Sequence, residues 1–122
     1  MRKVSLNKAV DNFASNCTIT TEFLSATGNQ SDLHESFIYD FAIIKLFRDF
    51  EEFIFTIMIG CLNKDSTGLS EKTGIDFPDH ISASVCAYLI SGGGYFDFSG
   101  RDGLIKKIRE TLGDDHKLVA IV

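Results

Sequence analysis

Arg109 and His116 are the residue types in this chain best suited to doing chemistry together. They bracket the segment Arg109-Glu110-Thr111-Leu112-Gly113-Asp114-Asp115-His116. An arginine holds a phosphate through charge-assisted hydrogen bonds, and a histidine transfers protons near neutral pH. Together they can support metal-independent RNA cleavage. Gly113 and the two aspartates break any helix between them, so the spacing alone does not make them converge. The plainer reading is a surface arginine and a histidine in the first turn of the next helix.

Other candidate constellations are weaker. His34-Glu35 opens like a zinc-protease helix, but the position four after His34 is Ile38, which ends that reading. Gly92-Gly93-Gly94 lacks the spacing and terminal lysine of a phosphate loop and follows a helical pattern, so it reads as a helix stop. Cys17, Cys61 and Cys86 stand far apart among apolar neighbours. No CxxC or Cys/His spacing for zinc is present, and the three read as small buried hydrophobes of a reducing compartment. Tyr95-Phe96-Asp97-Phe98-Ser99 could stack bases. The alternative is that Phe96 and Phe98 plug a core while Asp97 and Asp102, near Arg101, fix the turn. No cofactor and no metal are expected.

The elements that must position these residues are helical. Over 122 residues, 44% are apolar and 24% charged, with 11 Phe, one Pro and no Trp. This fits one globular domain with an aromatic-rich core. The net charge of −5 argues against general polyanion binding. Lys106, Lys107 and Arg109 form a local basic cluster that reads as a solvated helix face. No signal-peptide pattern or membrane-length apolar run occurs, so a cytoplasmic location is expected.

A first helix is expected from about Val4 to Ala26, with Val10, Phe13, Cys17 and Leu24 near one face. Its β-branched run Cys17-Thr18-Ile19-Thr20-Thr21 is unfavourable for helix, and Gly28-Asn29 suits a left-handed cap. A long helix over Leu33–Leu62, about 45 Å, carries a wide apolar stripe and forms the spine. Ser31 or Asp32 caps it, and Asp32 with Glu35 has capping-box spacing. Residues 63–79 read as a polar excursion. A short helix marked by Ile81, Val85, Leu89 and Tyr88 ends at the glycines. Another runs from Arg101 to Leu112, capped by Ser99 or Asp102 and closed by Gly113. It buries Leu104, Ile105, Ile108 and Leu112 and exposes Lys106, Lys107 and Glu110. Asp114-Asp115 should cap a last helix, through Leu118 to Val122, whose apolar ending suggests a longer helix cut short.

The segment from Tyr88 to Lys107, followed by Asp114-Asp115-His116, resembles the middle of a bacterial HEPN-like domain of the RiboL-PSP-HEPN type. The stretch Phe47-Arg48-Asp49-Phe50-Glu51-Glu52-Phe53-Ile54, with Phe41 before it, is similar to that family's second helix. The resemblance implies an all-α bundle of about four to five helices with one long central helix, commonly a homodimer. It places the chain among prokaryotic toxin and phage-defence ribonucleases, acting on RNA and partnered by an antitoxin. Their late Arg-x4–6-His motif, often Arg-Asn-x-x-x-His, pairs across the dimer. No Arg-Asn occurs here, and Arg109 and His116 sit too early, so the catalytic residues are unassigned. Two expectations follow. The chain is either a HEPN-like ribonuclease scaffold, inactive without its catalytic helix, or a non-enzymatic helical module that dimerises or binds a partner.

Overall fold

The computed structural model describes residues 4–28, 31–94 and 100–121. Six helices, and no strand, occur among the described residues: α1 (Leu6–Ala26), α2 (Asp32–Lys64), α3 (Thr67–Thr73), α4 (Ala83–Ser91), α5 (Arg101–Leu112) and α6 (Lys117–Ile121). The architecture is all-α around one long helix, as expected. Among the described residues no helix is long and apolar enough to cross a membrane. The chain divides into two compact units, one formed by Asn7–Ile54 and the other by Met1–Leu6 with Phe55–Val122.

In the first unit, α1 lies antiparallel to the first two-thirds of α2. Phe13 stacks on Phe53 at 4.7 Å between ring centroids and tilts against Phe50 at 6.0 Å. Near the other end, Phe23 meets Phe41 edge-on at 6.4 Å. The unfavourable threonine run is helical nonetheless, and Thr18 and Thr21 donate their hydroxyl protons to the carbonyls of Ala14 and Cys17 one turn back. The buried face differs from expectation: Ala9 and Thr20 are buried, whereas Val10 is exposed. At Ala9 a methyl side chain lies where the larger Val10 is turned outward.

The ends of the hairpin helices also differ in detail. Gly28 is not in the left-handed region. The last turn of α1 closes instead through Thr27, whose N–H and hydroxyl both donate to the Phe23 carbonyl; Asn29 lies outside the described residues. Ser31 caps α2, accepting the His34 N–H, so Asp32 is already inside the helix and does not form the capping box.

The second unit packs α5 against α3, α4 and α6. Its core contains Met58, Leu62, Leu69, Ile81, Cys86, Ile90, Leu104, Ile108 and Leu112. Helix α5 matches its expected bounds, and its buried face carries Leu104, Ile108 and Leu112, with Ile105 half-buried. It starts at Gly100 with no side-chain cap, so Asp102 does not fill that role. Ser99 and the aromatic turn at 95–98 lie outside the described residues. Helix α4 ends at Gly92 in a left-handed cap, as the glycines suggested. It buries Cys86 and Ile90 rather than Val85 and Tyr88, which are 48% and 65% exposed.

The polar excursion contains an unanticipated helix, α3. It is two turns long with one buried apolar residue, Leu69, too little to make a periodic pattern. Polar side chains replace the missing stripe. The Asn63 amide donates to the Ile81 carbonyl at 2.6 Å, and the Ser66 hydroxyl donates to the Pro78 carbonyl at 2.6 Å.

The aromatic-rich core does not form among the described residues. No described phenylalanine is buried, and Phe23, Phe37, Phe41 and Phe47 are exposed. Most of the described phenylalanines lie on the hairpin, whereas the described core of the second unit contains no aromatic residue.

Candidate functional site

Arg109 and His116 are placed by one close approach. Gly68 in α3 packs so tightly against the end of α5 that a Cβ there would run into the carbonyl of Leu112. This contact ends α5 at Gly113, whose φ of 107° reverses the chain, and His116 follows beyond the turn. His116, not Asp114 or Asp115, caps α6: its Nδ1 accepts the Leu118 N–H at 3.2 Å. A ring nitrogen that accepts is unprotonated, so His116 is neutral with its proton on Nε2. Burial holds its pKa below the usual histidine value. Asp65 opposes this shift, and Lys117 adds to it.

His116 lines a cleft of about 350 Å³ with Asp65, Glu71, Lys72, Asp114 and Asp115, floored by Gly68, Leu112 and Gly113. Asp65 lies at the turn between α2 and α3. The hydroxyl and backbone N–H of Thr67 hold its carboxyl below the usual range, with the backbone bond at 3.0 Å. Lys72 bonds Asp114 at 2.9 Å. Four carboxylates therefore face one lysine and one neutral histidine, a field that repels a phosphodiester.

Arg109 opens instead on a neighbouring depression of about 640 Å³, with Asp102, Ile105, Lys106 and Glu110. Lys72 and Asp114 line both spaces, whereas of these two Arg109 lines only the second and His116 only the first. Lys106 and Arg109 are exposed and Lys107 half-buried, and Lys106 reaches Glu110 at 3.9 Å.

The remaining candidates carry less chemistry. Cys86 is buried, while Cys17 and Cys61 are half-buried, and all three thiols are free. Burial raises the Cys61 and Cys86 pKa values, which disfavours the reactive thiolate. Among the described residues no group of three or more His, Cys, Asp or Glu is arranged to hold a metal ion.

The most unusual surface is on α2. Leu33, Phe37, Ile44 and Phe47 are 64%, 62%, 60% and 51% exposed. At about 100° per residue they lie within about 80° of the helix circumference, on a face away from the buried Ala42. With Asp40 between Phe37 and Ile44, they occupy a heptad stripe whose later members, Glu51, Ile54 and Met58, are all buried. Tyr39, Phe41 and Ile43 are also exposed, so apolar side chains surround this part of α2. A helix apolar on every side is normally buried. The sequence carries that signal between residues 33 and 47, where it fits equally well a wide stripe serving the chain's own core.

No family model matches this chain, and neither a curated protein nor a solved structure matches it.

Proposed function

We propose that this chain is a helical interaction module that binds protein through the amino-terminal half of α2. The observation supporting this reading is the exposed stripe Leu33, Phe37, Ile44 and Phe47, with Tyr39, Phe41 and Ile43 also exposed around the same part of α2. Scattered exposed hydrophobics are ordinary on a soluble protein, but a contiguous row of large ones marks a contact surface. The His116 cleft gives less support to phosphodiester chemistry, because carboxylates outnumber cations there and Arg109 opens elsewhere.

Ile44→Glu places a charge in the stripe without disturbing the α1 contact. The variant should keep its helicity and lose association, measured by light scattering and by binding of an apolar-surface dye. Association and dye binding equal to the parent chain would refute the surface reading. The ribonuclease relationship implied by the resemblance is a separate proposal, tested by incubating the chain with single-stranded RNA. Cleavage that disappears in His116→Ala would support it over the module.

A further inference from the structure

We infer that the partner of the α2 stripe is an amphipathic helix that carries one arginine or lysine in the middle of its apolar seam. This inference rests on the interaction-module reading and specifies the chemistry of the partner. Asp40 carries the argument. It stands midway between Leu33 and Phe47, with Phe37 and Ile44 on either side of it along the stripe. It is exposed and forms no ion pair among the described residues.

Covering the stripe takes Asp40 out of water. Under a purely apolar partner its carboxylate loses hydration and gains no hydrogen bond in exchange. A cation at the same level supplies a charge-assisted hydrogen bond, and an arginine can supply two. A single charged residue in an apolar seam thereby selects both the partner and the register. A second copy does not bring this cation. Laid evenly along the stripe, in either direction, it sets Asp40 against Asp40.

Arg48 adds a second mark. It is exposed and unpaired among the described residues, and it lies about 20° beyond Phe37, on the edge away from Asp40. Charges flanking a seam meet those flanking the partner's seam. The partner should therefore carry an Asp or Glu beside its seam, about two turns from the central cation. The uncovered stripe, from Leu33 to Phe47, is about 21 Å long and sets the partner's length at about four turns. The chain's net charge of −5 attracts a helix with a basic centre at longer range.

The test uses synthetic amphipathic peptides of about 18 residues, identical except at the central seam position, which carries Arg, Leu or Glu. Each is titrated with the whole chain to about 500 µM and followed by fluorescence anisotropy. The Arg peptide should bind most tightly, by roughly tenfold or more over the Glu peptide. Asp40→Arg should reverse the order of those two, and Ile44→Glu should abolish binding of all three. Equal binding of the peptides, a Leu peptide that binds best, or an order that Asp40→Arg leaves unchanged overturns the cation assignment and leaves the contact surface standing. A chain that sediments alone as a dimer, and that the Arg peptide does not dissociate, overturns it in favour of a second copy. No binding of any peptide, or binding indifferent to Ile44→Glu, overturns the surface reading as well.

Discussion

Replacing Gly68 by alanine should destabilise the fold, although alanine is the better helix former. A Cβ at Gly68 would lie 2.6 Å from the Leu112 carbonyl carbon and 3.0 Å from the Gly113 nitrogen. Carbon contacts settle at about 3.5–4.0 Å, so α3 must withdraw from α5 by about 1 Å. The obstructing atoms are backbone, and no rotamer change can clear them. Overpacking of this kind costs about 1–3 kcal/mol. Alanine returns at most about 1 kcal/mol through helix propensity, leaving a net loss of about 1–2 kcal/mol. For a domain of this size the melting temperature should fall by roughly 5–8 °C. Gly60→Ala is the matched control. Its Cβ would press mainly on the Leu6 side-chain tip, which can rotate, and propensity favours alanine inside α2. Thermal unfolding followed by circular dichroism should place G68A well below the parent chain and G60A within about 0.5 kcal/mol of it. A G68A variant as stable as the parent would refute the close-packed α3–α5 contact.

Four further outcomes follow from individual residues. Thr20 is buried with its hydroxyl lacking a partner, so Thr20→Val should raise stability by about 1 kcal/mol in urea unfolding. The Ser82 hydroxyl accepts the Val85 N–H at 3.4 Å, and Ser82→Ala should cost about 1 kcal/mol in the same assay. The lowered pKa of His116 means the unfolded chain takes up the proton first. Its contribution to stability is therefore complete above about pH 6.5 and is lost as the pH falls through the folded-state value. Urea midpoints at pH 7.5 and 5.5 should differ less in His116→Gln than in the parent chain; equal differences would remove His116 from the pH response. Cys86, buried and with a raised pKa, should resist alkylation in the folded protein and react on unfolding, as read by peptide mass.

Helix existence was legible where sequence signals agreed. Helix α5 has a strong apolar face and Gly113 after it, and α2 has a capping serine and 33 unbroken helical residues. The buried faces of α1 and α4 were less legible. Val10 and Val85 fit a helical period as well as their neighbours, but packing selected Ala9 and Cys86, smaller side chains that permit closer approach. Helix α3 has one apolar anchor and depends on hydrogen bonds to distant carbonyls, which leave no periodic trace. The candidate site was legible as residue types alone. The turn that separates Arg109 from His116 was foreseen from Gly113, whereas the imidazole cap of α6 was not. A histidine Nδ1 can replace a carboxylate at that position, and composition does not distinguish them.

The tie between Val4 and Asn63 bears on the order in which the chain folds. The Val4 N–H donates to Asn63 Oδ1 at 3.2 Å, and Leu6 lies against Gly60. These contacts span more than fifty residues, whereas the intervening stretch can close on itself progressively, through Phe23–Phe41 and then Phe13–Phe53. During synthesis the hairpin can therefore form while residues after Lys64 are still on the ribosome. The amide of Asn63 must then wait for Ile81, its other partner, to emerge.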